Sequence, residues 1–127
     1  MARILIIEDN EQNLYLAGFI LRRHGHEIVE ARDGLEGISM AGSSKPHLIL
    51  LDIQLPIMDG YAVATALRRM PALDAVPIVG VTSYAMVGDR ERILAAGCNG
   101  YIEKPIDPET FADELAPFLG LQARGDA

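Results

Sequence analysis

The chain has 127 residues, half of them apolar (50 %), a single cysteine and a formal net charge of −7 at pH 7. That is enough for one domain with a continuous core, and the acidity argues against non-specific nucleic-acid binding and against an anionic membrane surface. Cys98 has no partner for an internal disulfide, no apolar run approaches the ~20 residues of a membrane span, and the apolar start is too short for a signal peptide, so a soluble cytoplasmic protein is expected.

Arg3–Ile7 is a short branched apolar run. It reads as a strand buried on both faces, and Glu8-Asp9 follow it. A helical pattern covers Glu11–His24, with Gly25 placed as a left-handed cap. Leu14, Ala17 and Leu21 form the stripe that must face a sheet. Tyr15, Leu16, Phe19 or Ile20 are then left partly exposed, either overlapping the core or forming a docking patch. A second strand over Glu27–Glu30 and a helix over Gly34–Gly42 follow. His47–Leu51 is the third strand, and its run ends abruptly in Asp52.

Pro56 and Asp59-Gly60 make the next segment a shaped loop, before a helix over Tyr61–Arg69. The fourth strand is Pro77–Val81, with Thr82 at its mouth. A helix over Met86–Ala96 ends at Gly97. The fifth strand, Gly100–Ile102, runs into Glu103-Lys104-Pro105. Asp107-Pro108 reads as N-cap and first residue of a helix reaching Leu119. Pro117 is expected to kink or shorten its last turn. Residues 121–127 read as a short C-terminal tail, leaving one domain over 1–120 without an output domain.

Strict strand–helix alternation predicts a mainly parallel sheet with helices on both faces. Right-handed crossovers leave few topologies for five strands, and the order 2-1-3-4-5 is the common one at this size. Strands one and three then flank the switch point, where ligands bind in open α/β sheets. Glu8, Asp9 and Asp52 would converge there. Carboxylates that close resist ionising, and a hard divalent cation such as Mg2+ resolves the conflict. Three carboxylates, one Mg2+ and the ammonium of Lys104 sum to zero. The competing reading of Glu8-Asp9 is ordinary acidic charge at a helix start. For Thr82 it is a cap or local turn.

With these residues in place the chain resembles a receiver domain of a two-component response regulator, from Arg3 to Leu119. The resemblance rests on Glu8-Asp9-Asn10, the LLDIQLPIMDG segment ending at Gly60, Val81-Thr82-Ser83, and Gly100 to Pro105. It implies the CheY-like, flavodoxin-like fold and makes Asp52 the phosphoacceptor. It implies that Asp9, Asp52 and the backbone carbonyl of Gln54 bind Mg2+, that Glu8 helps through the metal's shell, and that Lys104 pairs with the phosphoryl group. Thr82 and Tyr101 would be the switch pair. Gln54 and Tyr84 would flank the path of an attacking water and tune hydrolysis. The implied partners are a histidine kinase or histidine phosphotransfer protein, docking on Tyr15, Leu16 and Phe19, and a downstream protein reading the fourth helix, fifth strand and fifth helix. No nucleic acid and no membrane are implied, and the state expected is a monomer or weak dimer. The domain would be a phosphoacceptor switch with slow autodephosphorylation rather than an enzyme. It resembles stand-alone receivers, and its EDNEQN, DIQLP and GDRERI segments look most like the DivK type.

Two other classes fit less well. A haloacid-dehalogenase-like phosphatase wants a second aspartate two residues after the first, where Gln54 stands. A flavin mononucleotide carrier would set Glu8-Asp9 against its ligand's phosphate.

Overall fold

The computed structural model describes residues 2–83 and 86–126, the last seven by backbone alone. Tyr84 lies outside the described residues. The elements run β1 (Arg3–Ile7), α1 (Glu11–Arg23), β2 (Glu27–Ala31), α2 (Gly34–Ser44), β3 (Leu48–Asp52), α3 (Gly60–Arg68), β4 (Ile78–Thr82), α4 (Val87–Ala95), β5 (Gly100–Glu103) and α5 (Phe111–Asp126). All pairings are parallel and the order is β2-β1-β3-β4-β5, as expected. β3 and β4 are buried along their whole length, which is why they read as unbroken apolar runs rather than alternating ones.

Two cores follow from the two faces of the sheet. Leu5, Ile7, Ile49, Leu51 and Ile78 point toward α2, α3 and α4, and meet Ala41, Leu67 and Ile93. Ile4, Ile6, Leu48, Leu50 and Val79 point the other way, toward Leu14 and Leu21 of α1 and Phe111 and Leu115 of α5. The alternation along β1 and β3 is the period-2 geometry of a strand. Helix starts are fixed by side-chain caps. Asn10 accepts from the N–H of Asn13, Asp33 from that of Glu36 and Asp59 from that of Ala62. Gly25 and Gly97 carry positive φ where α1 and α4 end.

Three expectations need correction. Ile20 is buried, so α1 leaves a smaller apolar patch than the sequence allows, centred on Tyr15 and Phe19. Asp107 does cap a turn, accepting from the Glu109 N–H at 2.9 Å, but the regular helix begins only at Phe111. α5 also continues through Pro117 to Asp126, past Leu119 and through the stretch read as a tail. Proline removes one N–H. Asp113 and Pro117 are both exposed, so water can serve the carbonyl left without its donor.

Gly60 sits where no side chain fits. A Cβ there would lie 2.5 Å from Ile53 Cα and 2.7 Å from the Asp52 carbonyl oxygen, both backbone. Its N–H donates to the Ile53 carbonyl at 2.9 Å. The start of α3 thus presses directly on the end of β3 and holds Asp52 from behind.

Candidate functional site

The register sets the site. Ile7 pairs with Leu51, and Asp52 pairs with Val81. Glu8 and Asp52 therefore leave neighbouring strands at the same level. The backbone N–H of Lys104 donates to the Thr82 carbonyl at 2.8 Å, which brings the loop after β5 to the same edge. A carboxylate oxygen from each of Glu8, Asp9 and Asp52 lies within 4.8 Å of the others. Asp9 is exposed, whereas Glu8 and Asp52 are only 5 % and 3 % exposed. Lys104 follows a strand end into this acidic cleft, and its Nζ lies 2.8 Å from Asp52 Oδ1 and 3.7 Å from Glu8 Oε1. The Lys104–Pro105 peptide bond is cis.

Backbone donors orient the acids. The Asn10 N–H donates to Glu8 Oε2 at 3.2 Å and the Gln54 N–H to Asp52 Oδ1 at 3.0 Å. One ammonium does not balance the cluster. Burial, then the adjoining Asp52 carboxylate, pushes the Glu8 carboxyl up from an ordinary 4.5 to about 8. Near neutral pH the metal-free pair holds a proton on Glu8. This donor set suits Mg2+, which favours carboxylate oxygens and would displace that proton.

The sign for stability follows. The folded pKa of Glu8 exceeds its unfolded value, so folding takes up a proton between about pH 4.5 and 8. The contribution is fully present below the lower value and is lost as pH rises through the upper one. With chelator present, unfolding free energy should fall by up to about 1.4 kcal/mol per pH unit across that window. Denaturant melts at several pH values check this, and Glu8→Gln should flatten the slope.

Thr82 is fully buried at the mouth of β4, and Gln54 reaches across to it. The Gln54 Nε2 donates to Thr82 Oγ1 at 2.8 Å, and Gln54 Oε1 accepts from the Ser83 N–H at 3.0 Å. Tyr101 pairs with Gly80, two residues before Thr82. It is half-buried against the α2–α3–α4 core, with the Arg90 guanidinium 5.5 Å from its ring centre. On α1, Tyr15 and Phe19 are 70 % and 46 % exposed and stack at 6.1 Å, while Leu16 is half-buried. This patch lies on another element from the carboxylates.

Two features escaped sequence reasoning. The side chain of Gln54 ties the β3 loop to the β4 loop; only its backbone carbonyl and its closeness to a water path had been anticipated. Ile57, in the same loop, is fully exposed at a positive φ of 66°. A branched residue is strained there, and only the flanking Pro56 hinted at an unusual turn.

Residues 4–116 match the response regulator receiver domain. The chain belongs to that family. It is 40 % identical over 117 residues to the polar-differentiation response regulator DivK of Brucella anthropi, covering 92 % of this chain and 95 % of the relative. DivK of Brucella ovis shows the same identity and coverage. Among solved structures, the receiver domain of a sensor histidine kinase from Pseudomonas aeruginosa has a TM-score of 0.86 at 33 % identity, over 94 % of this chain and 98 % of that one. That receiver has a magnesium ion coordinated in its active-site cleft. The chemotaxis protein CheY4 of Vibrio cholerae reaches a TM-score of 0.89 at 26 % identity, over 93 % and 98 %. Receiver domains are phosphoacceptor switches of two-component signalling, and this receiver carries its acidic cluster where β1 and β3 end. Among the described residues no helix is long and apolar enough to cross a membrane.

Proposed function

We propose that this receiver accepts a phosphoryl group on Asp52 from a phosphohistidine of a histidine kinase or histidine phosphotransfer protein. One observation carries the reading: a buried carboxylate at a strand end, with a lysine ammonium at 2.8 Å and two further carboxylates within 4.8 Å. A buried acid in an excess of like charge is costly unless a further cation belongs there. Glu8, Asp9, Asp52 and the Gln54 backbone carbonyl are the residues that would hold Mg2+. When bound, Mg2+ supplies charge neutralisation between these acids and the phosphoryl oxygens.

The protein's part is positioning and electrostatics. A carboxylate oxygen of Asp52 attacks phosphorus in line. The P–O bond forms as the P–N bond to the donor imidazole breaks, and the imidazole leaves with the bonding pair. Lys104 stabilises the charge on the transferring group, and Thr82 donates to a phosphoryl oxygen once it is on Asp52. The test is label transfer from a phosphorylated histidine-kinase domain, which should need Mg2+ and stop with chelator. Transfer unaffected by chelator would reject the metal-assisted reading.

The downstream partner is proposed to read α4, β5 and α5. α4 suits a movable element because Ile93 is its one buried residue, whereas α1 buries five. Few buried contacts make a small shift cheap. Tyr101, beside α4, would follow Thr82 when phosphorylation draws the hydroxyl toward Asp52, which is a population shift rather than a new fold.

The stacked Tyr15 and Phe19 are proposed to receive the helices that carry the phosphohistidine. Phe19→Ala should slow transfer from the protein donor by about 10-fold or more, the loss of one buried aromatic anchor. Phosphorylation by acetyl phosphate should stay within about twofold of wild type, because a small molecule makes no use of α1. Equal slowing with both donors would count against docking there.

A further inference from the structure

The side chain of Gln54 engages both residues whose donors a phosphoryl group on Asp52 would need: it occupies the Ser83 N–H and donates to the Thr82 hydroxyl oxygen. Its backbone N–H holds Asp52 Oδ1 at 3.0 Å, so the residue is anchored at the acceptor. From there the amide crosses to the next strand end. Its Oε1 takes the Ser83 N–H at 3.0 Å and its Nε2 meets Thr82 Oγ1 at 2.8 Å. Asp52 and Val81 are paired on adjacent strands, so Thr82 and Ser83 come next along β4, facing the space beyond the Asp52 carboxylate. An anion there would be met by the Thr82 hydroxyl and the Ser83 N–H together, a pair of donors converging on an oxyanion. A backbone N–H has one hydrogen and cannot serve Gln54 Oε1 and a phosphoryl oxygen at full strength.

We propose that Gln54 is a latch: its side-chain Oε1 stands in for a phosphoryl oxygen on the Ser83 N–H in the unphosphorylated protein, its Nε2 holds the Thr82 hydroxyl in its resting position, and the amide must be displaced from Ser83 when Asp52 is phosphorylated. The role rests on Asp52 being the phosphoacceptor and adds a positioning residue to it. The latch makes the resting positions of Thr82 and Ser83 definite by tying both to the β3 loop. It also sets a threshold. The Ser83–Gln54 bond must be given up before that N–H can serve a phosphoryl oxygen, and the Nε2 bond resists movement of Thr82 toward Asp52, so the latch lowers the affinity of the site for a phosphoryl group.

The test uses the full chain with Mg2+ and beryllofluoride, a tetrahedral phosphoryl mimic that bonds to carboxylate oxygen. Gln54→Met keeps the length and apolar bulk of the side chain and keeps the backbone N–H and carbonyl, but removes both amide contacts. The variant should bind beryllofluoride up to about tenfold more tightly, the scale of one neutral hydrogen bond no longer lost on binding. Amide hydrogen exchange supplies a readout that a packing role would not move. In wild type the Ser83 N–H should be protected with and without beryllofluoride. In Gln54→Met it should exchange about tenfold faster without the mimic and regain protection with it. The Ile53 and Lys104 amides, bonded to the Val81 and Thr82 carbonyls, should be unchanged in both proteins. Wild type that binds beryllofluoride, with equal or weaker binding by the variant or unaltered Ser83 exchange, would overturn the latch alone. Failure of wild type itself to bind the mimic would overturn the latch together with the assignment of Asp52.

Discussion

Asp52→Asn should lower acceptance of a phosphoryl group from a phosphohistidine donor by about 10^3-fold or more, which is more than about 4 kcal/mol of transition-state stabilisation. The substitution is nearly isosteric. An asparagine oxygen can still accept from the Gln54 N–H and from Lys104, which now both meet Asp52 Oδ1. What disappears is the negative oxygen that attacks phosphorus, since an amide oxygen is a poor nucleophile. The Glu8 carboxyl is raised to about 8 by burial and then by Asp52, and the same change removes the Asp52 charge. Metal-free Asp52→Asn should therefore unfold no more easily than wild type near pH 8. A variant that loses both phosphoryl acceptance and stability would indicate a folding defect. Loss of acceptance with stability kept or raised is the expected pattern, and parallel denaturant melts and transfer assays distinguish the two.

Lys104→Met should act in two opposite directions. Phosphoryl acceptance should fall by about 10^2- to 10^3-fold, the scale seen when one preorganised charge or donor at a transition state is removed. Mg2+ affinity should rise, because the ammonium 2.8 Å from Asp52 and 3.7 Å from Glu8 repels a cation entering the same cluster. The metal-free variant should be destabilised, with its excess of carboxylates left without an adjacent ammonium, and saturating Mg2+ should recover much of that loss. Calorimetric titration with Mg2+ measures the second effect independently of any kinase. Weaker Mg2+ binding by Lys104→Met would mean that Lys104 organises the acids rather than competing with the metal.

Much of this was legible in the sequence because parallel strands covered on both faces leave an unmistakable record. Ile4 to Ile7, Leu48 to Leu51 and Ile78 to Val81 are buried throughout, so each reads as one apolar block ending in a polar residue. Once the blocks are ordered, Glu8, Asp9, Asp52, Thr82 and Lys104 can only fall at one edge of the sheet. The direction of a loop side chain is a different matter. Gln54 meets Thr82 and Ser83 because two loops from distant parts of the chain happen to close on each other, and no periodicity encodes that. The raised pKa of Glu8 is likewise a property of its burial and of the Asp52 carboxylate beside it. It requires distances, not spacing. Gly60 was visible as punctuation beside Asp59, but its reason, backbone so close behind Asp52 that a Cβ would lie 2.5 Å from Ile53 Cα, lies in three dimensions. α5 outran its expected end because the cost of a helical proline depends on whether water can reach the carbonyl it strands, and that is a fact of exposure.

Chemical mapping of the phosphorylated residue tests the central claim most directly. Protein loaded from a phosphohistidine donor with Mg2+, then treated with borohydride, has any aspartyl phosphate reduced to homoserine, which peptide sequencing by mass spectrometry locates. The account predicts homoserine at position 52 and nowhere else. Homoserine at Asp9 or Asp59 with Asp52 intact, or a label that resists borohydride and survives as a histidine or hydroxyl phosphate, would contradict it.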